Sequence, residues 1–284
     1  MDPEELALFR ESLRQATANH TGKALDDALD ELGWRDALTA DRRAAVSALF
    51  DLQGRANATS SALDWVMAGA LGVHGPVVLP PLGSWEQPRQ RGLATFAFAN
   101  RAPDGVVVTP VSGIDPALGM VEVTGDLGAS ASDAWPDTVA AGQLALAHEL
   151  VGASRTMLQL ARDHAVERVQ FGRPIAAFQA VRHRLAESLV AIEAADAALG
   201  AAWEVGSPQT AAMAKAVAGR NARTVARHCQ QVLAGIGFTT EHPFHRYLRR
   251  VLVLDALLGD TRALTQQLGD ELLSRRRLPP LLPL

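Results

Sequence analysis

Apolar side chains recur at helical spacing through the first quarter of the chain. Successive triplets, spaced mostly three to four positions apart, are Leu6, Phe9 and Leu13, then Leu25, Leu29 and Leu32, then Val46, Leu49 and Phe50. This spacing places apolar side chains on one face of an α-helix. We therefore predict short amphipathic helices over residues 4–70.

The pattern changes between residues 72 and 132. Glycine and proline here separate short runs rich in β-forming residues: "PVVLPPLG", "LATFAFAN", "GVVVTPVSG" and "MVEVTGDLG". Short runs of this kind, bounded by turn residues, are typical of strands. The segment is predicted to form a small β domain.

Helical spacing returns from residue 137 onward. One apolar face carries Leu144, Val151, Leu158 and Ala165, and the next segment carries Val181, Leu185, Leu189 and Ile192. Four long helices joined by short loops form an antiparallel bundle. The predicted fold class is mainly α with a small β domain. Its parts are an N-terminal helical domain (1–71), the β domain (72–134), a C-terminal four-helix bundle (135–276) and a tail (277–284).

Two helix limits in the bundle can be read from single residues. Ser207 is suited to cap a helix, and Pro208 then occupies the first helical position. Gly235 and Gly237 together are a plausible stop for the same helix. A third limit is Pro174, which cannot continue a helix, so one bundle helix should end near residue 171 and the next begin near residue 178.

This predicted bundle corner groups side chains that suit a dinucleotide. Arg168 offers a planar fork of donors for a phosphate, and Gln170 and Gln179 offer amide hydrogen bonds. Phe171 offers a ring face for a flat heterocycle. The alternative is that Arg168 pairs with a surface carboxylate while the phenylalanines fill the corner.

Composition narrows the classes of partner. The chain has 284 residues, of which 48% are hydrophobic, so it can bury a substantial core. Its 27 lysines and arginines and 31 aspartates and glutamates give a net charge of −4. Without a global basic field, neither nucleic acid nor an anionic membrane is expected as a partner.

Compartment and metal content follow from other features. The single cysteine, Cys229, excludes an internal disulfide framework. The N-terminus is acidic and amphipathic where a signal peptide would be basic and then apolar, so a cytoplasmic location is expected. His228, His242 and His245 with Cys229 lack a zinc-ligand spacing, and no metal site is predicted.

A second glycine-containing run gives the corner a context. "QVLAGIGF" begins at Gln231, and its glycines permit close approach of the backbone to a bulky polar ligand. Together with "RVQFG" at Arg168 and "FQ" at Phe178, it resembles the acyl-CoA dehydrogenase family. That family carries Arg-x-x-Phe-Gly, Phe-Gln and Gln-x-x-Gly-Gly-x-Gly-Phe segments in this order. The resemblance covers the whole chain in outline, as an acyl-CoA dehydrogenase-like fold, and is specific from about residue 140 onward.

The resemblance implies FAD bound across a subunit interface. It also implies that Ala234 replaces the first glycine of the family's pair, so a ligand has less room to approach the backbone there. The cofactor-binding residues that it nominates are Arg168, Gln170, Phe171, Gln179, Gln231, Gly235 and Thr261.

The family's catalytic base is missing. Family members abstract the α-proton of the substrate with a glutamate, in a Glu-Gly-Thr segment or on the first bundle helix. Here these positions fall on Gly259 and near Gly142, neither of which carries a carboxylate. The substitutes that can be named are Asp260 and Glu149. For both, a structural role is favoured, and Asp260 in particular can cap the helix that follows it.

The β zone is shorter than the family's middle domain and lacks its flavin-facing loop and strand. In this the chain resembles the base-lacking subunit of heteromeric (α2β2) actinobacterial-type dehydrogenases that act on CoA thioesters of steroid side chains. The resemblance implies an acyl-CoA substrate, a related partner chain supplying the glutamate in a heterotetramer, and an electron-transfer acceptor.

Two other functions stay open at this point. One is a self-sufficient homomeric flavoenzyme with Glu149 or Asp260 as a relocated base, and the missing family base argues against it. The other is a flavin-free scaffold. The presence of Arg168, Gln179 and Gln231 together argues against the scaffold, which needs none of them.

Overall fold

The computed structural model describes residues 2–88, 95–98, 106–125 and 132–276, and the predicted tail lies outside these ranges. Five helices precede the β zone: α1 (Pro3–Asn19), α2 (Lys23–Glu31), α3 (Trp34–Ala40), α4 (Arg42–Ala56) and α5 (Ala62–Leu71). The predicted helices over residues 4–70 are confirmed. The first begins at a capping box, in which the Asp2 side chain accepts from the backbone of Glu5 and the Glu5 side chain accepts from that of Asp2.

Three of the four β-rich runs contain a strand. These are β1 (Thr95–Phe98), β2 (Val107–Pro110) and β3 (Met120–Thr124), in an antiparallel sheet of order β1-β3-β2 in which Val123 pairs with both Thr95 and Val108. The expectation for "PVVLPPLG" is wrong, because this run forms only an isolated bridge at Leu79. Its three prolines supply no backbone donors, and the Val77 N–H donates instead to Asp64 Oδ1 (2.6 Å).

The C-terminal part is helical. α6 (Trp135–Glu167), α7 (Gln179–Val205), α8 (Pro208–Leu233) and α9 (Phe244–Ala256) form the predicted bundle, and α10 (Thr261–Arg275) packs against α8. Short connections make successive helices antiparallel. The predicted start of α8 is confirmed by a capping box between Ser207 and Thr210, and its predicted stop by an end at Leu233.

The corner differs from its prediction at one side. α7 begins directly after Phe178, as predicted, but α6 ends at Glu167, four residues before Phe171. Between the two helices, β4 (Val169–Gln170) and β5 (Arg173–Pro174) pair as a hairpin with a two-residue loop. Local hairpin pairing therefore displaces the last helical turn.

A single large core joins the N-terminal helices to the bundle, with Trp34, Phe50, Leu146 and Phe244 all fully buried within it. The predicted apolar face of α7 is wrong at Leu189, which is 51% exposed. α7 lies at the outside of the bundle and buries a narrow stripe of Ile192, Ala195, Leu199 and Ala202. No helix among the described residues has both the length and the apolar composition needed to cross a bilayer.

Candidate cofactor site and base positions

The β4–β5 hairpin presents an aromatic side chain in a strained conformation. Its two turn residues, Phe171 and Gly172, have φ angles of +53° and +77°. Two-residue hairpin loops of type I′ need positive φ at both positions and usually place Asn-Gly or a similar pair there. Phe171 is nevertheless 91% exposed, so burial in the core does not account for this conformation. A bulky residue in a left-handed conformation is an outlier of the kind that accumulates at functional sites.

The neighbouring side chains orient this phenylalanine. The rings of Phe171 and Phe178 meet edge to face with centroids 6.1 Å apart, and the Arg173 guanidinium lies 4.4 Å above the Phe178 ring. Contacts of these kinds stabilise by about 0.5–1.5 kcal/mol each. The hairpin therefore has its own small aromatic support while its tip stays open to solvent.

Arg168 has a fixed backbone and an unengaged side chain. Its N–H donates to His164 O (2.8 Å) and its carbonyl accepts from the Ile175 N–H (2.8 Å). The guanidinium is exposed and forms no ion pair or hydrogen bond within the described part of the chain, so the alternative of a carboxylate partner finds no support there. Burial, and then the nearby Arg168 charge, lower the pKa of His164.

The three predicted amides are also exposed. Gln170 lies on β4, Gln179 opens α7 with its Nε2 3.3 Å from His183 Nε2, and Gln231 lies on the last turns of α8. None of the three amides is buried by its own chain. They can still bond to a ligand or to another chain.

The glycine turn after α8 divides its glycines between two tasks. Gly237 is buried, and a Cβ there would lie 2.9 Å from Leu233 Cβ, so packing requires glycine. At Gly235 no described atom lies within 4 Å of the Cβ position, so its backbone is open to approach. Ala234 adopts φ +52° and ψ −134°, a conformation natural to glycine and strained for alanine.

The antiparallel bundle brings most of the predicted cofactor residues to one end. Arg168, Gln170 and Phe171 follow α6, Gln179 begins α7, and Gln231 and Gly235 close α8, so all six lie at what we call the hairpin end. Thr261 begins α10 and lies at the other end of the bundle. The structure therefore separates Thr261 from the rest of the predicted set.

Thr261 and Asp260 are engaged within the chain. The Thr261 hydroxyl donates to Asp255 Oδ1 (2.6 Å), and the Thr261 N–H donates to the same oxygen (3.3 Å). Asp260 accepts from the Ala263 N–H (2.8 Å) as the N-cap of α10, which confirms the predicted capping role.

Lys215 is a buried residue at this end that the sequence did not single out. Its Nζ donates to the carbonyl oxygens of Asp255 (3.0 Å) and Gly259 (3.4 Å), and burial lowers its pKa to about 8. Arg223 donates to the Asp255 carboxylate (2.6 Å), and a Cβ on Gly219 would collide with that carboxylate. The spacing of lysine, glycine and arginine at i, i+4 and i+8 along α8 was the available signal.

Both family positions for the base are sterically closed. Gly259 has φ +96°, and a Cβ there would lie 2.7 Å from Leu264 Cδ2 and 2.9 Å from Trp85 Cε3. A Cβ on Gly142 would collide with Leu258 Cδ1 and lie 3.1 Å from Met67 Sδ. Contacts below 3.0 Å force neighbouring atoms to move, so a carboxylate side chain at either position would require these side chains to shift.

Glu149 is enclosed in a buried network. It accepts from Gln53 Nε2 (2.9 Å) and from Arg250 Nη1 (3.1 Å), and Arg250 also donates to Asp115 Oδ2 (2.5 Å) and Ala58 O (2.7 Å). Burial raises the pKa of Glu149, and the attraction of Arg250 opposes the rise. This network joins the N-terminal helices, the β zone and the bundle, and it gives Glu149 a structural role.

A cleft of about 940 Å³ opens beside Trp85, between the first turns of α6 and α8 and one side of α10. Its walls combine two tryptophans, Trp85 and Trp135, with the amides of Gln87, Gln143, Gln209 and Gln267. None of the predicted cofactor or base residues is among the described residues that line it. The described residues also contain no cluster of histidine, cysteine and carboxylate side chains placed to hold a metal ion.

Sequence similarity to known proteins is concentrated in the helical half. The family model described as "Acyl-CoA dehydrogenase, C-terminal domain" matches residues 137–273. Acyl-CoA dehydrogenase IpdE2 of Mycobacterium tuberculosis is 40% identical over 126 residues, which is 44% of this chain and 40% of that protein. Acyl-CoA dehydrogenase FadE34 of the same organism is 34% identical over 239 residues, or 79% of this chain and 32% of that protein. Residues 137–273 of the chain therefore form a C-terminal domain of the acyl-CoA dehydrogenase family.

The matched segments span less than half the length of both relatives. Solved structures extend the likeness over nearly the whole chain. A variant of the Tcur3481-Tcur3483 steroid ACAD has a TM-score of 0.78 at 22% identity, covering 96% of this chain and 99% of that chain. The ChsE4-ChsE5 complex from Mycobacterium tuberculosis has a TM-score of 0.72 at 21% identity, covering 99% of each chain. These structures confirm the predicted fold class.

Proteins of the acyl-CoA dehydrogenase family are FAD-dependent flavoproteins. The hairpin end fits such a cofactor in its donor chemistry. It offers an unengaged guanidinium for a diphosphate, exposed amides for hydrogen bonds, an exposed ring for a heterocycle and an open backbone at Gly235. At the other end, Thr261 has committed its hydroxyl proton to Asp255, so its oxygen is available to a ligand as an acceptor only.

Proposed function

We propose that this chain is a subunit of an FAD-dependent acyl-CoA dehydrogenase that works together with a related, base-bearing chain. The reaction is α,β-dehydrogenation of an acyl-CoA thioester, with electrons passed on to an electron-transfer acceptor. Because one structural neighbour is a steroid ACAD, we propose a steroid side chain as the acyl group. The assembly is a cytoplasmic heterotetramer.

The observation that carries this proposal is the closure of both base positions. Removing a proton α to a thioester needs a base within hydrogen-bond reach of the proton. Gly259 and Gly142 hold no carboxylate. A Cβ on Gly259 would already press against Leu264 and Trp85, and one on Gly142 against Leu258 and Met67. A base for this reaction therefore comes from another chain.

The hairpin end supplies the cofactor contacts in this proposal. Arg168 neutralises the diphosphate of FAD, Gln170 and Gln179 bond to its polar groups, and Phe171 covers a flat part of it. FAD, when bound, supplies the oxidant that accepts two electrons from the substrate. The role of this chain is to bind and orient the cofactor and to exclude water from it.

Exposed apolar side chains at the same end favour a subunit interface. Those of Val166, Val169, Phe171 and Phe238 are all more than half exposed. A patch of this kind on a soluble protein indicates a contact with another macromolecule. A related chain seated there would cover the patch and enclose the cofactor at the same time.

The two alternatives have less support. A self-sufficient enzyme needs a relocated base, but Glu149 is held by Arg250 and Gln53, and Asp260 caps α10. A flavin-free scaffold leaves the strained, exposed Phe171 and the unengaged Arg168 without a purpose.

The visible absorption spectrum tests the proposal. The chain is expressed alone and together with a base-bearing family member encoded beside it, and each product is purified and its mass determined. Alone, the chain should be colourless or poorly soluble, and the pair should purify as a yellow heterotetramer with dehydrogenase activity. A yellow, active homomer would contradict the proposal.

A further inference from the structure

We propose that Lys215 is a positioning residue that holds the turn between α9 and α10 (residues 257–260), and through it Thr261, in a fixed form. The holding of the turn stands on the geometry alone. Its consequence for the cofactor rests on the proposed function, because it takes Thr261 as a flavin contact.

The turn is strained. Leu258 and Gly259 follow one another with φ angles of +53° and +96°. A leucine in the left-handed region is unfavourable, since its Cβ crowds the next carbonyl oxygen. Such a conformation persists only when surrounding contacts determine it strongly.

Donors from three other elements supply those contacts. Lys215 Nζ bonds to Asp255 O and Gly259 O, the Gly83 N–H bonds to Ala256 O (2.7 Å), and Gln143 Nε2 bonds to Leu258 O (2.9 Å). The last carbonyls of a helix have no partner within the helix, and here those of Asp255 and Ala256 find one outside it, as do those of Leu258 and Gly259 in the turn. Among these donors Lys215 alone joins the end of α9 to the turn, because its two acceptors are Asp255 O and Gly259 O.

The bridge continues to Thr261 through Asp255. The Asp255 main chain is held by Lys215, while its carboxylate accepts from the hydroxyl and the N–H of Thr261 and from Arg223. Gly219 leaves the space in which this carboxylate lies. Lys215 therefore fixes both the position of Thr261 and the direction in which its acceptor lone pairs point.

The bridge does not depend on the charge of Lys215. The charged groups that face Nζ are Asp255 from α9, Asp260 from the cap of α10 and Arg223 from α8 itself. When the ammonium loses a proton, the neutral amine keeps two N–H bonds, one for each carbonyl oxygen. The turn should thus stay held on both sides of the lysine's pKa.

Hydrogen exchange of the assembled protein tests the bridge whether or not flavin is bound. In Lys215→Met, which keeps the apolar stem and removes the donors, amides of residues 257–263 should exchange at least about ten-fold faster. Lys215→Gln is one atom shorter and should give an intermediate rate. The matched control is Lys23→Met, at an exposed lysine paired with Asp27, where these amides should exchange as in the wild type.

Two outcomes overturn the inference at different levels. Unchanged exchange of residues 257–263 in both Lys215 variants would mean that the bridge does not hold the turn. If exchange rises, the flavin absorption bands of the loaded complex should shift in Lys215→Met at unchanged flavin content, since Arg168 is intact. Faster exchange in the turn with an unshifted flavin spectrum would show that Lys215 does not act on the cofactor. A wild-type complex without flavin would instead contradict the proposed function, and the exchange result would still decide the bridge.

Discussion

The two ends of the bundle treat their functional residues in opposite ways. At the hairpin end, Arg168, Gln170 and Gln231 are exposed, and Phe171 extends from a strained turn into solvent. At the other end, Lys215 and its partners are buried and hydrogen bonded; along α8, Lys215 lies about 24 Å from Gln231. The polar groups of the hairpin end are therefore free to bind another molecule, whereas those around Lys215 are already bonded within the chain.

This difference shows which end needs another molecule. An exposed guanidinium beside exposed aromatic and aliphatic side chains is stable in water but gains much from a charged, flat ligand and a covering chain. A closed turn with satisfied carbonyls gains little from either. The proposed division of labour between two chains follows from this contrast: this chain contributes residues that bind the cofactor, and the related chain contributes the base.

The largest expected effect comes from forcing a base into the closed end. Gly259→Glu introduces a side chain at φ +96°, against Leu264 and Trp85, and should lower the free energy of unfolding by about 3–5 kcal/mol. It should not make the isolated chain active. Thermal unfolding and turnover are measured beside Gly69→Glu, at a helical glycine where no described atom lies within 4 Å of the Cβ position. An active Gly259→Glu homomer would show that the closure is not what prevents catalysis.

The buried lysine of the closed end gives that end a pH signature. Since the folded pKa of Lys215 is about 8 and its usual value is 10.5, the unfolded state binds the proton more tightly. The lysine's contribution to stability therefore rises as pH increases from about 8 to about 10.5, by up to about 3 kcal/mol. The difference in unfolding free energy between wild type and Lys215→Met should follow this curve. A flat difference would show that the lysine is not buried as a cation.

At the open end, Arg168→Ala should weaken flavin binding. It leaves a partly desolvated diphosphate without a charge-assisted partner, at a cost of roughly 1.5–3 kcal/mol, or about ten- to a hundred-fold in affinity. Arg168→Lys should recover only part, because an ammonium lacks the planar fork. Flavin-to-protein ratio after gel filtration is compared with Arg182→Ala on α7. Equal flavin content in the two alanine variants would mean that the hairpin is only a bundle corner.

A smaller effect is expected at the glycine turn. Ala234→Gly removes the strain of a positive φ at α8's end, and it should raise the free energy of unfolding by about 1 kcal/mol after the entropic cost of glycine. Chemical denaturation measures this, with Ala222→Gly in the helix interior as a control that should destabilise. A loss of stability in Ala234→Gly would mean that the open end is less strained than its dihedral angles indicate.

The sequence also predicted the hairpin end of the bundle better than the closed end. The motif around Arg168 and its partner run at Gln231 could be found because short segments of unusual composition carry them. Their gathering at one end followed from short loops and antiparallel helices. The exact limit of α6 could not be predicted, since the "QFGR" hairpin competes locally with a last helical turn.

The closed end depends on contacts between residues far apart in the chain. Lys215 donates to the Gly259 carbonyl, and Trp85 lies beside the same glycine. No local sequence pattern predicts either contact. The missing glutamates were visible in the sequence, but the side chains that crowd both glycines were not. Likewise, "PVVLPPLG" was predicted as a strand from its valines. Its prolines and the tertiary hydrogen bond from the Val77 N–H to Asp64 Oδ1 together explain why it forms only an isolated bridge.

The smallest expected effect concerns Glu149 and Asp260, the two carboxylates named as substitutes for the family's base. Glu149→Gln keeps the shape of a side chain whose pKa burial already raises, and Arg250 retains Asp115 as a charged partner. Asp260→Asn keeps a good N-cap for α10. Both variants should leave turnover of the assembled enzyme within a few-fold, whereas loss of a true base typically costs roughly 10²-fold or more. Turnover per bound flavin is the measurement. A collapse of activity in either variant at intact flavin content would place a base in this chain and remove the contrast between its open and closed ends.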